Sequence, residues 1–274
     1  MRITLVLLAA AAAGCHAADP LANLPPGCEA MLPQCLAIQK ICVAGPTCQA
    51  CPNGQYASSL GVCSPIGMAL THDFADFTAQ AGQEILGLCQ SWTLNNSTEL
   101  WINAVELDQN EASHHSNWLF VPDDKYPGPD GVWTCSDRNY DQLSAALAGG
   151  VLYAQSTQAT HEVQKFTNGA AVRIPPWSRI ISDVHILNAT PQAVTGHATL
   201  SLYPLALADV KIKLTPFHLV FSKLEIPAQA TSRSTAKCEI DSSFESITNH
   251  VLDAKVYYIL PHFHALGRHF FVER

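Results

Sequence analysis

Short apolar runs, many of them alternating with polar residues, follow one another from about Ser64 onward. Successive side chains of a strand point to opposite faces, so such runs predict buried or half-buried strands. The runs are Glu99–Leu107, Trp118–Val121, Ala171–Ile174, Ile180–Leu187, His197–Tyr203, Lys211–Leu214, His218–Ile226 and Lys255–Leu260. Proline closes many of them, which is typical of an all-β sandwich or jelly roll. The best helix candidate is the short segment Tyr140–Leu147.

Residues 1–18 have the pattern of an export signal. Arg2 precedes an apolar stretch, and small residues follow it. Two processing outcomes are open: cleavage after Ala17 or Ala18, which gives a secreted protein, or lipidation of Cys15 in a segment that resembles a bacterial lipobox. Either outcome takes the mature chain to the cell envelope or the extracellular space, where disulfides persist.

Residues 19–66 hold a cluster of six cysteines, namely Cys28, Cys35, Cys42, Cys48, Cys51 and Cys63. Cys48-x-x-Cys51 has the spacing of a zinc or redox pair, whereas the whole set resembles a small disulfide-stapled module. Too few apolar residues lie between the cysteines to form a core, and together with the export signal this favours disulfides. The sequence leaves the connectivity open, since six cysteines allow about 15 pairings.

The rest of the chain divides into a first β-sandwich domain over residues 67–205 and the start of a second over residues 206–274. The boundary lies in the turn-rich stretch Pro204–Asp209. The chain stops at Arg274 directly after an apolar run, and a half-sandwich of about three or four strands would have a long open edge. We therefore expect the second domain to be truncated at Arg274.

Charge and composition narrow the class of partner. The formal net charge of −8 argues against nucleic acid held by a basic face. Beyond the leader no apolar run reaches about 18 residues, so we expect no membrane-spanning helix. The 12 histidines are an unusual number and point to metal chemistry.

Two histidine clusters have the spacing of metal ligands. In a strand, His262 and His264 share one face about 7 Å apart, so both can bind one ion. The neighbours His114 and His115 face opposite sides of a regular strand and reach one ion only at a bulge or twist. His185, in a strong strand pattern, supplies the third imidazole that this doublet needs. Imidazole-only ligands suit copper or zinc, and the scarcity of carboxylates disfavours calcium and magnesium.

Four segments occur in a fixed order along the chain: His114-His115, Gly150–Tyr153, Arg173–His185 and His262–Arg268. Together they resemble the copper type II, ascorbate-dependent monooxygenases, the family of peptidylglycine α-hydroxylating monooxygenase and dopamine β-hydroxylase. The resemblance covers roughly Cys89 to Arg274 and leaves the Cys-rich segment outside. It implies two jelly-roll-like β-sandwich domains, each with one copper ion.

The resemblance implies a role for each of the five histidines. His114, His115 and His185 would bind the first copper ion, which stores and passes an electron. His262 and His264 would bind the second, where dioxygen is activated and a substrate C–H bond is hydroxylated, and are the implied catalytic residues. Ascorbate is the implied reductant, and a methionine sulfur, a donor that favours Cu(I), completes the second site.

The sequence departs from the family at two places. Its methionines, Met1, Met31 and Met68, all lie far upstream, so the thioether ligand is either beyond Arg274 or missing from a degenerate, inactive site. Leu260 stands where peptide-amidating members carry an arginine that binds the peptide carboxylate. A substrate less charged than a glycine-extended peptide is therefore implied.

The resemblance also implies a disulfide between Cys89 and Cys135. Cys238 lacks its expected downstream partner, in agreement with truncation. The other histidines are expected to have surface or hydrogen-bonded roles. The tryptophans are expected in the sandwich core, and they are Trp92, Trp101, Trp118, Trp133 and Trp177.

Other functions remain open beside a monooxygenase acting on a small molecule and dioxygen. One is a secreted or lipid-anchored copper-binding protein without catalysis, in contact with a membrane only through Cys15. It would bind one ion tightly and show no ascorbate-dependent oxygen uptake. Another is a zinc or iron β-sandwich hydrolase or dioxygenase, which needs a carboxylate ligand that the histidine clusters lack.

Overall fold

The computed structural model describes residues 24–37, 40–58, 61–110, 112–155, 159–216, 225–259, 269 and 271–273. The chain forms two compact units, Met1–Ser64 and Pro65–Arg274. Strands predominate in the element order, so the predicted all-β class is confirmed. Among the described residues, no helix is long and apolar enough to cross a membrane.

The first unit is built around three disulfides rather than an apolar core. Its elements are α1 (Leu32–Ala37), β1 (Lys40–Ala44), β2 (Thr47–Ala50), β3 (Gln55–Ala57) and β4 (Cys63–Pro65). Strands β1 and β2 form one hairpin, and β3 pairs with β4. The disulfides are Cys28–Cys42, Cys35–Cys48 and Cys51–Cys63. The disulfide-stapled module is thus confirmed, and the two cysteines of the C-x-x-C motif have different partners.

The second unit holds most of the regular structure. Its strands are β5 (Leu70–Asp73), β6 (Phe77–Ala79), β7 (Glu84–Thr93), β8 (Leu100–Gln109), β9 (Ser113–Pro122), β10 (Gly131–Thr134), β11 (Gly150–Ala154), β12 (His161–Lys165), β13 (Ala170–Ile174), β14 (Ser178–Leu187), β15 (Val194–Gly196), β16 (Ala198–Leu205) and β17 (Ile212–Leu214). Its helices are α2 (Gln142–Ala148) and α3 (Ile240–Thr248), with 3₁₀ turns at Cys135–Arg138 and Leu207–Asp209.

Two sheets face each other in this unit. One has the order β10-β7-β14-β9-β11, and the other has the order β17-β13-β8-β16-β5 with β12 also paired to β8. All these pairings are antiparallel except that of β13 with β17. One cluster of buried side chains draws on both sheets, including Ile102 and Leu200 from one and Trp118 and Ile180 from the other. The sheets therefore pack as a β-sandwich.

Alternation along the strands fixes the register of the five-stranded sheet. Trp118 and Phe120 of β9 belong to the cluster between the sheets, whereas Leu119 and Val121 belong to a separate cluster with Ala145 of α2. A shift by one residue would exchange these two faces, so burial on both sides specifies the pairing strongly. The site described below depends on that register.

The predicted strands within residues 99–214 agree with β8, β9, β13, β14, β16 and β17, and the predicted helix agrees with α2. The strand predicted at Lys255–Leu260 is wrong for its described part, because residues 255–259 have no strand structure. Within this part Tyr257 and Ile259 are exposed, so the face that they would share in a strand is not buried by the described residues. Strand β17 belongs to the same sheet as β13. The second sandwich predicted over residues 206–274, and its jelly-roll topology, stay predictions.

Candidate metal centre

Neighbouring strands β9 and β14 bring three histidines together. His115 lies opposite His185 in the antiparallel register, but the next pair is Ser113 with Ile186. His114 is therefore the extra residue of a β-bulge, in which two residues of one strand face one residue of the other. This is the irregularity that the adjacent pair requires if both imidazoles are to approach one point.

A second irregularity lies on the other side of His185, between β14 and β7. Val184 pairs with Leu88, whereas Ile186 pairs with Ile85, so β7 carries one residue more than β14 here. Gly87 within this step has φ of +70°, a conformation that glycine adopts without strain. His185 is thus the point of the central strand where both neighbouring strands bulge.

The three imidazoles form a compact triangle. The ring centroids of His114, His115 and His185 are 4.8 to 5.2 Å apart. One nitrogen of each ring lies within 4.8 Å of the others, and Nδ1 of His185 is 3.2 Å from Nε2 of His115. Two imidazoles on one tetrahedral ion, with metal–nitrogen bonds of about 2.0 Å, have nitrogens about 3.3 Å apart. His115 and His185 therefore have the spacing of two ligands of one ion, and a nitrogen of His114 lies within 4.8 Å of both ligand nitrogens.

No protein-family model and no curated protein matches the sequence.

Two carboxylates lie next to the triangle without belonging to it. Oε1 of Glu84 is 2.8 Å from Nε2 of His185, which leaves Nδ1 of that ring facing the other imidazoles. Burial raises the pKa of the Asp183 carboxyl, and the neighbouring His185 partly opposes this. The set of potential ligands is therefore three imidazoles, which suits copper and zinc among the common metals.

The Cys89–Cys135 disulfide that the resemblance implied is present. Cys89 pairs with Asp183 in the register of β7 and β14, so the disulfide lies close to the triangle along the same sheet. His262 and His264 lie outside the described residues, and the second site stays a prediction. Cys238 is free and exposed.

Two histidines outside the triangle also pair with carboxylates. His161 Nε2 is 2.8 Å from Oε1 of the buried Glu106, and His197 Nδ1 is 2.9 Å from Oδ1 of Asp76. Within the described residues, the triangle is the group of histidine, cysteine and acidic side chains with metal-ligand spacing. The expectation of a core position is wrong for Trp177, which is 55% exposed at a left-handed turn.

Glu84 is the site residue that the sequence reasoning missed. It lies 101 residues before His185, in a strand that the apolar runs did not predict. A glycine inside a strand pattern is a typical sign of a bulge, so Gly87 is the signal that was available. Nothing in the local sequence names the histidine that Glu84 meets.

Proposed function

We propose that this protein is a copper-dependent monooxygenase that hydroxylates a C–H bond of a small organic substrate. One atom of dioxygen would enter the substrate, and two electrons from a reductant such as ascorbate would reduce the other atom to water. The observation that carries the proposal is the convergence of His114, His115 and His185, which the resemblance to the copper monooxygenases had assigned to one ion.

The protein's own contribution is to hold the ligands. Bound copper would supply one-electron transfer at the His114–His115–His185 centre and dioxygen activation at the site of His262 and His264. The double bulge around His185 brings three ring nitrogens near one point, and such preorganised ligands would lower the cost of binding an ion. Imidazole nitrogens are suitable ligands for copper.

Export of the chain supports chemistry in an oxidising compartment. The four disulfides of the described residues indicate such an environment. Together with the leader at residues 1–18, they favour secretion, with lipidation of Cys15 as the alternative anchor. Leu260, in place of a carboxylate-binding arginine, favours a substrate less charged than a glycine-extended peptide.

Copper stoichiometry and oxygen uptake test the proposal on the full chain, including any residues that follow Arg274 in the natural protein. The wild type is expected to bind two ions and to consume oxygen with ascorbate and substrate. His185→Ala should lose one ion, and His264→Ala should lose turnover while keeping the first centre. His250→Ala, at an exposed histidine, is the matched control and should change neither.

Turnover at the normal rate in copper-loaded His264→Ala would refute the monooxygenase. A second candidate, copper binding without catalysis, is favoured by the completeness of the three-imidazole set within one sandwich. It predicts one tightly held ion and no ascorbate-dependent oxygen uptake. Competition between Cu(I) and Zn(II) for the centre separates both candidates from a zinc protein.

A further inference from the structure

Three Asn-x-Ser/Thr sequences occur in the chain: Asn95-Asn96-Ser97, Asn96-Ser97-Thr98 and Asn188-Ala189-Thr190. This pattern is the acceptor for N-linked oligosaccharides in proteins that pass through a eukaryotic secretory pathway. The three asparagines differ sharply in what the fold does with their amide groups. That difference selects one of them.

The side chain of Asn188 is inaccessible to a glycan in the folded protein. Its side chain is 1% exposed, and its Nδ2 lies 2.7 to 3.0 Å from the carbonyl oxygens of Ala79, Gln80 and Gln192. Its Oδ1 accepts from the backbone N–H and the hydroxyl of Thr190, the residue that completes its acceptor sequence. A sugar on Nδ2 would replace one N–H and occupy the space of the carbonyl groups around it.

The side-chain amide of Asn96 is also fully hydrogen-bonded within the fold. Its Nδ2 donates to the carbonyl oxygens of Thr98 at 2.9 Å and Pro175 at 2.7 Å, which uses both of its N–H groups. Its Oδ1 accepts from the backbone N–H of Ser178 at 3.0 Å. These bonds tie the loop after β7 to the start of β14. A glycan at Asn96 would remove at least one of them.

Asn95 has the opposite environment. It is exposed in the loop between β7 and β8, and its φ of 52° places it at a left-handed turn. Nδ2 has one protein acceptor among the described residues, the carbonyl oxygen of Thr93 at 3.3 Å. One N–H can therefore keep this contact while the other is replaced. Ser97, which completes the acceptor sequence, is exposed as well.

We propose that Asn95 carries an N-linked glycan and that Asn96 and Asn188 do not. In the transfer, Nδ2 loses one proton and forms a bond to the anomeric carbon of an oligosaccharide carried on a lipid pyrophosphate, and the lipid pyrophosphate leaves. The inference rests on the proposed export of the chain, through a eukaryotic secretory pathway. A chain with a glycan on Asn96 or Asn188 could not form all of the hydrogen bonds described above. We therefore expect folded protein to carry no glycan at these two residues.

The overlapping acceptor sequences allow a closely matched test, because Ser97 serves only Asn95 and Thr98 serves only Asn96. The full chain is expressed in cultured animal cells, and the secreted protein is weighed before and after treatment with a peptide N-glycosidase. The wild type and Thr98→Ala should each lose one glycan per chain. Ser97→Ala should lose none, although both asparagines remain. The glycosidase converts a glycosylated asparagine to aspartate, so cleavage in heavy-oxygen water should leave a labelled aspartate at residue 95. Residue 188 should remain an unlabelled asparagine.

Secreted wild type without a glycan, or a glycan that persists in Ser97→Ala, would overturn the assignment to Asn95 alone. A glycan on Asn188 of secreted, folded protein would overturn the argument from burial. Chain retained in the cells with an uncleaved leader would count against export, and with it against this inference. The location of the chain thus separates a failure of the proposed secretion from a failure of the site assignment.

Discussion

The Cys89–Cys135 disulfide should contribute strongly to the stability of the second unit. It joins β7 to the 3₁₀ turn after β10 and encloses β8, β9 and β10 between its ends. Both cysteines are buried, at 0% and 6% exposure. We consider the double variant Cys89→Ala/Cys135→Ala, which removes the cross-link without leaving a lone thiol.

The sequence separation sets the expected magnitude. The two cysteines are 46 residues apart, and loop-closure entropy for that length gives a loss of about 4 kcal/mol in the free energy of unfolding. For a unit of this size, such a loss lowers the melting temperature by roughly 8–16 °C. The effect arises mainly in the unfolded chain, which gains freedom when the loop opens.

Tryptophan fluorescence during urea unfolding is a selective assay, because all 5 tryptophans lie in the second unit, between Trp92 and Trp177. Cys51→Ala/Cys63→Ala is the matched control, since it opens a disulfide of the first unit with a separation of 12 residues. That variant should destabilise its own unit by about 3 kcal/mol. The fluorescence transition should stay where it is in the wild type.

A loss below about 1 kcal/mol in the Cys89/Cys135 variant would refute the reasoning. It would mean that the loop is already constrained in the unfolded chain, or that the cross-link strains the folded unit by a similar amount. An equal shift of the fluorescence transition in the control variant would show instead that the two units unfold together.

Three further predictions concern single side chains. Glu84→Ala should weaken copper binding at the triangle by about 10–100-fold in chelator competition, because it removes the carboxylate that orients His185. Glu84→Gln keeps a hydrogen-bond acceptor at this position and should reduce the copper affinity less. Arg179→Met should cost about 3–5 kcal/mol in urea unfolding, because the buried guanidinium donates to two loop carbonyl oxygens and a hydrogen bond from a charged group contributes about 1.5–3 kcal/mol. Replacement of the exposed Arg173 by Met should cost under about 1 kcal/mol. The Asp141 carboxylate accepts a hydrogen bond from the backbone N–H of Ser144 at the start of α2, which lowers the pKa of this carboxyl below its ordinary value. Its contribution is therefore present at neutral pH and lost as the pH falls through the lowered pKa, so the stability gap to Asp141→Ala should close in acid.

The sequence by itself determined the elements whose burial is periodic. Strand β14 was predicted from an apolar run because both of its faces are buried, and helix α2 from a short apolar pattern after a turn. The disulfide module followed from cysteine density and the leader, since that segment has too little apolar surface for a core. These features depend on residues close together in the chain.

Only the tertiary structure decided how distant residues meet. His115 and His185 are 70 residues apart, and their pairing requires the register of β9 with β14, which side chains on both faces specify. Beside His185, β7 and β9 each carry one residue more than β14. A bulge depends on how two strands pair, so the hydrophobic pattern of a single strand does not predict its position. The exposure of Trp177 and the burial of Asn188 were also decided by the tertiary structure. A single side chain is buried only if other residues pack over it, and those residues come from distant parts of the chain.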